Sequence, residues 1–316
     1  MSISGTHKSE IDHLKELVRQ SGFPLEIEIV SFLDSARVSM DWKFMEVFSG
    51  AYYLDKDENK GRELDVKVSI PVEYEEEQKR KQFVPGIFLR LLIQCKSVPG
   101  NVWVFFRTPQ EFFPRPQCAS VLDSLEWSLR SHWDFSLLPG LHYEKVPKIT
   151  LYDEYILDKN KSNKRDDNLF EAVISLVKAT SYELESTVQA LMNDVDAWGD
   201  DAYNVLDFVI LFYPTVVFDG KMFLAEKTEE YGELNLTPID HVCLFSSYLS
   251  ASYDMKLYMD IVQREAFESF FSNIVEDTKV LWGATKSKIG TKFRKEVIKA
   301  LRWYLTKKRV RYKPTQ

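Results

Sequence analysis

The run Ile87–Cys95, IFLRLLIQC, constrains the fold more than any other segment of the chain. It is too short for a membrane span and almost continuously apolar, so as a strand it must be covered on both faces. A strand of that kind belongs at the centre of a sheet with packed layers on either side. The segments around it supply neighbours. Phe48–Leu54 is rich in aromatics and ends at an Asp55-Lys56-Asp57 turn. Glu63–Ile70 alternates, with Leu64, Val66, Val68 and Ile70 expected on one face and Glu63, Asp65, Lys67 and Ser69 on the other. Pro99-Gly100 is expected to turn the chain into a further strand, Val102–Phe106. Residues 73–82 are too polar for a core and read as a solvated excursion.

Helical periodicity flanks this group. Ile11, Leu14 and Leu17 recur at helical spacing over residues 8–21, which stop at Gly22. Pro24 suits the first turn of a second helix with an apolar stripe of Leu25, Ile29, Phe32, Leu33 and Ala36. Residues 107–165 are broken by prolines and predict no architecture, and 158–168 reads as an exposed loop at their end. A long helix is expected over Leu169–Met192, with Phe170, Val173, Leu176, Val177, Leu184 and Leu191 inward. Strands follow at Val205–Phe218, with a break at Pro214, then at Met222–Ala225, Val242–Phe245 and Leu257–Val262. Asp219-Gly220 reads as a hairpin turn, and helix returns from Glu265. The order of elements predicts an α/β fold around a central sheet, with one domain over 1–278 and a helical extension over 279–316.

No run of about 18 apolar residues occurs, which argues against a membrane span. The first residues lack the apolar stretch of a secretory signal, so a reducing cytoplasm is the expected compartment. Cys95, Cys118 and Cys243 form no CxxC pair and no ligand-spaced cluster with the five histidines, which argues against a structural zinc site or a disulfide scaffold. The net charge of −7 averages two unlike parts: thirteen Lys/Arg against Glu296 from Lys279 onward give +12, leaving −19 for residues 1–278. In the extension, Ile289, Phe293, Val297, Leu301 and Tyr304 recur at helical spacing and leave Lys288, Lys292, Lys295, Lys299 and Arg302 largely on other faces. That basic side either contacts nucleic-acid phosphates or is a solvated face balancing the acidic body.

The chemistry is expected where two strands present polar residues together. Glu63 and Asp65 share a face of one strand, and Gln94 and Lys96 share a face at the end of the apolar one. If the strands are neighbours, carboxylates, an amide and an ammonium converge; oxygen donors of this kind suit Mg²⁺ or Mn²⁺. Ordinary solvated charges at a sheet edge are the competing reading. Asp194, Asp196, Asp200 and Asp201 lack the glycine and closing glutamate of a calcium loop, and His241 beside Asp240 has no partner visible in the sequence.

The phrases GFPLEIEI (22–29), YYLDKDENKGRELDVKV (52–68) and LLIQCKSVPGNVWVFF (91–106) resemble the PD-(D/E)XK nuclease superfamily. The resemblance is strongest over 20–106 and extends to a later core helix and strand at about 169–218. It implies a restriction-endonuclease-like core, a central mixed sheet flanked by helices. It makes Asp65 the metal-binding aspartate, Gln94 the occupant of the usual acidic position, Lys96 the motif lysine and Glu26 the first-helix carboxylate, with Glu28 as its rival. Leu64 stands where the family has proline. Gln94 removes one charge, which Glu63 could restore. The implied activity is metal-dependent phosphodiester hydrolysis, as a DNA endonuclease. Mg²⁺ or Mn²⁺ would be held by Glu26, Asp65, Gln94 and the Cys95 carbonyl, and Lys96 would orient the water. A homodimer would suit double-strand cutting. The alternative is a nuclease-like fold that has lost catalysis and binds nucleic acid or a protein partner.

Overall fold

A computed structural model describes residues 10–15, 17–18, 21–40, 45–72, 87–107, 141–142, 145–156, 167–198, 209–227 and 233–286. Helix α1 (Phe23–Ser39) carries Pro24 in its first turn, where a missing N–H costs nothing, and buries Leu25, Ile29, Leu33 and Ala36. Strands β1 (Glu46–Asp55), β2 (Lys60–Val72) and β3 (Ile87–Arg107) then form an antiparallel meander. Strand β4 (Lys148–Ile156) pairs antiparallel with the second half of β3. Helix α2 (Asn168–Trp198) leads to β5 (Val209–Lys227), which lies parallel to β3. Strands β6 (Leu234–Pro238), β7 (His241–Leu249) and β8 (Asp254–Gln263) follow; a 3₁₀ turn, Arg264–Ala266, opens into α3 (Phe267–Lys286).

The eight strands form one mixed sheet in the order β1-β2-β3-β4-β7-β8-β5-β6. Because β5 pairs with both β8 and β3, the path β3-β4-β7-β8-β5 returns to its start, and the sheet closes on itself. Alternating residues divide the core into two layers. Leu92, Trp103, Phe105, Val216, Phe218 and Ile261 pack beneath α2, with Leu169, Val173, Leu176 and Val177. Leu91, Ile93, Cys95, Val217 and Val262 face the other way and pack against α1 and α3. Phe32 of α1 meets Phe267 and Phe271 of α3 edge to face there. The expectation of a strand covered on both faces is met: Leu89, Leu91, Leu92 and Ile93 are fully buried.

Several local expectations are corrected. Pro99-Gly100 does not reverse the chain; β3 continues through it as a bulge, with Gly100 at φ 90° and the register against β5 shifting between Ser97 and Val102. Asp219-Gly220 is likewise inside a strand. A β-carbon at Gly220 would sit 2.2 Å from the Phe218 ring, which stacks on Trp103 at 3.6 Å between centroids. The glycine is there for close packing, and no turn is made. Pro214 pairs opposite Leu92 without interrupting β5. Phe170 is exposed, and its neighbour Leu169 takes the buried position. Ile11, Leu14 and Leu17 lie on helical residues but are half exposed. Helix α3 runs unbroken through position 278 to Lys286. No helix among the described residues is long and apolar enough to cross a membrane.

Candidate metal centre

The β2–β3 register brings the sequence-predicted residues together. Val66 lies opposite Ile93, which places Asp65 beside Gln94. Gln94 Nε2 donates to Asp65 Oδ2 at 2.5 Å, and the Cys95 backbone N–H donates to the same oxygen at 2.6 Å. Gln94 Oε1, in contrast, is buried and has no hydrogen-bond partner among the described residues. Leaving such an acceptor empty costs about 1–3 kcal/mol, so this oxygen is a donor waiting for a cation or a proton.

Leu64, Val66, Val68 and Ile70 are buried in alternation with Glu63, Asp65, Lys67 and Ser69, as expected; Leu64 joins the core cluster beneath α2 and the other three the cluster against α1 and α3. The pairs Ser49–Val66 and Ala51–Leu64 place Gly50 across from Asp65, and Gly50 has φ 63°. A β-carbon at Gly50 would meet Glu63 Oε1 at 2.7 Å, so the Glu63 carboxylate lies over the glycine. Gly50→Ala is therefore expected to cost about 1–2 kcal/mol in backbone strain and to push Glu63 aside. Urea unfolding of the variant measures the loss.

Electrostatics bind the set together. Burial pushes the Asp65 carboxyl up to about 7; the Cys95 N–H and Lys96 act against this, while Glu26 and Glu63 add to it. Glu26, in the first turn of α1, is itself raised by burial and by Glu63. Its rival Glu28 is engaged elsewhere, since Arg264 donates to it through Nε at 3.0 Å and contacts it through Nη2 at 2.7 Å. Arg264 also lies 3.7 Å from Asp219, which accepts from Ser97 Oγ at 3.1 Å, one residue beyond Lys96. The Cys95 side chain belongs to the core, and burial raises its thiol well above the ordinary range. The five basic residues Lys288, Lys292, Lys295, Lys299 and Arg302 lie outside the described residues, as do the side chains of Asp194, Asp196, Asp200 and Asp201.

The carboxylates of Asp65, Glu26 and Glu63, the Gln94 amide oxygen and the Cys95 carbonyl are oxygen ligands of the kind a hard divalent cation takes, but the three carboxylates are not gathered within ligating reach of one another as His142, His241 and Asp260 are. The raised Asp65 value has a measurable consequence in metal-free protein. Between the ordinary carboxylate value of 3.8 and about 7, the folded chain keeps a proton that the unfolded chain has lost. Stability should then fall as pH rises through that window, by at most about 1.4 kcal/mol per pH unit, and level off above it. Asp65→Asn should remove this slope. Denaturation midpoints from pH 4 to 8 in chelator provide the comparison.

Sequence reasoning missed a second polar cluster. His142, His241, Asp260 and Asp277 are all buried and mutually bonded. They come from four places far apart in the chain, so no spacing pattern announced them. No family model, no curated protein and no solved structure matches this chain.

Proposed function

We propose that the chain is a metal-dependent nuclease of restriction-endonuclease-like fold that hydrolyses phosphodiester bonds, most simply in DNA, in the cytoplasm. The observation that carries this reading is the hydrogen-bonded pair Asp65–Gln94 on the β2–β3 ladder, with Asp65 in the electrostatic field of Glu26 and Lys96. The order α1-β1-β2-β3-β4-α2-β5, with β5 parallel to β3, supports it as a mixed sheet flanked by helices of the kind the resemblance implies, with β4 added between the meander and α2.

Bound between these oxygens, Mg²⁺ or Mn²⁺ would supply Lewis-acid polarisation of a phosphoryl oxygen and a more acidic water. The protein's part is positional. Gln94 and the Cys95 N–H hold one Asp65 oxygen in place, and Glu26 and Glu63 add negative charge around it. Lys96 carries the ammonium that orients the attacking water and offsets charge developing on the phosphate. The basic extension from Lys279 would hold the nucleic-acid backbone, offsetting the acidic body.

A second reading, a nuclease-like fold without catalysis, is favoured by one observation: Asp65 Oδ2 already accepts two hydrogen bonds, and its partner is an amide where an acid would add charge. Incubating the protein with single- and double-stranded DNA and RNA in Mg²⁺ or Mn²⁺ separates the two. Cleavage that depends on the metal supports the nuclease; binding without cleavage supports the scaffold.

A further inference from the structure

His142 precedes β4, His241 opens β7, Asp260 lies in β8 and Asp277 in α3, and their side chains meet inside the protein. His241 Nε2 is 2.9 Å from Asp260 Oδ1, and His142 Nε2 is 3.2 Å from both Asp260 oxygens. On its far side, His142 Nδ1 is 2.5 Å from Asp277 Oδ2. The two imidazole rings lie nearly parallel at 11°, and Phe270 packs edge-on against both.

In a neutral His142 with Nδ1–H donated to Asp277, a lone pair at Nε2 would face the lone pairs of Asp260. Two such pairs at hydrogen-bond distance repel unless a proton or a metal ion lies between them. Two imidazole nitrogens and a carboxylate are donors that bind zinc; the ligand atoms of His142, His241 and Asp260 all lie within 4.8 Å of one another, and the N···O separations of 2.9 and 3.2 Å are near the roughly 3.3 Å edge of a tetrahedron with bonds of about 2.0–2.1 Å. A metal-bound histidine also characteristically donates its other N–H to a carboxylate, the role Asp277 is placed to fill.

We propose that His142, His241 and Asp260 form a structural zinc site, with Asp277 as the outer carboxylate that fixes the orientation of His142. It shares no residue with the Asp65 centre, and the proposal does not depend on nuclease activity. All four residues are buried, and both Asp260 oxygens lie within reach of His142 Nε2, so that a chelating Asp260 and the two histidines would make up the closed four-coordinate set of a structural site. Its effect is to join α3 to β7, β8 and the residue leading into β4.

Metal analysis of the full-length protein, produced in zinc-supplemented medium, tests this. About one zinc per chain should be retained in wild type and in Asp65→Ala, which removes the other candidate centre. His241→Ala should lose it, and Asp277→Asn should bind it about 10–100-fold more weakly. Replacing zinc with Co²⁺ should give the intense visible absorption of a four-coordinate site. Folded wild-type protein that holds no stoichiometric zinc overturns the proposal, as does NMR showing His142 doubly protonated at pH 7 whether or not zinc is added. In that case a proton fills the gap: the two aspartates, acting against burial, raise His142 to about 10. Should His241→Ala fail to fold, the stoichiometry and cobalt spectrum of Asp65→Ala still decide.

Discussion

Asp65→Ala is expected to lower metal-dependent cleavage by about 10²–10³-fold or more, the scale on which a single preorganised electrostatic group acts in an active site. Three features concentrate the effect on this side chain. Its Oδ2 is the shared acceptor of the Gln94 amide and the Cys95 N–H, so its loss frees both. Its carboxylate lies within the field of Glu26, Glu63 and Lys96, so the remaining groups lose the charge they are arranged around. Gln94, already short of a partner at Oε1, would be left without one at Nε2 as well. Lys96→Ala should reduce turnover on a similar scale without abolishing Mn²⁺ binding, because the ammonium is no ligand and its loss relieves repulsion of the metal. Turnover and Mn²⁺ titrations measured side by side separate the two roles. Cleavage that survives both substitutions would sink the assignment of this site.

The largest stability effect is expected at Lys178. Its ammonium is buried beneath α2, 2.9 and 3.0 Å from the two Asp55 oxygens and 3.2 Å from Asp57. Asp57 in turn accepts from Tyr248 at 2.9 Å and from Ser250 at 2.8 Å. One lysine therefore ties α2 to the β1–β2 turn and to the β7–β8 loop. Lys178→Ala leaves Asp55 buried with its principal cation gone, since Arg62 reaches it only at 3.8 Å. The expected loss is about 3–5 kcal/mol, most of it the cost of an uncompensated buried carboxylate. Asp55→Asn in the same chain should recover part of that loss, because a neutral amide needs no counter-ion. A double-mutant cycle by urea unfolding measures it; a loss below about 1 kcal/mol in Lys178→Ala would mean the pair is effectively solvated.

Much of the scaffold was legible because its signals are local. An apolar run of nine residues, an alternating strand and two amphipathic helices each state their own burial, and β3, β2, α1 and α2 follow from them. The pairing of Asp65 with Gln94 was legible for the same reason, since both lie on apolar-patterned strands that are neighbours in the sheet. What failed were inferences about punctuation. Pro99-Gly100 and Asp219-Gly220 carry turn residues, yet both lie inside strands: a register bulge absorbs one and the Phe218 ring requires the other. Turn propensity describes what a backbone can do, and tertiary packing selects whether it does so.

The sequence by itself determined the layers, the central strand and the residues that could hold a hard cation, because hydrophobic period and side-chain chemistry belong to short segments. Only the tertiary structure separates the two glutamates: Arg264 holds Glu28, and Glu26 lies in the field of Asp65. It alone gathered His142, His241, Asp260 and Asp277 into one buried cluster. Contacts between residues 19 to 135 positions apart, such as Asp260 with its histidines and Asp277 with His142, leave no periodic trace; they exist only once the closed sheet has brought distant strands together.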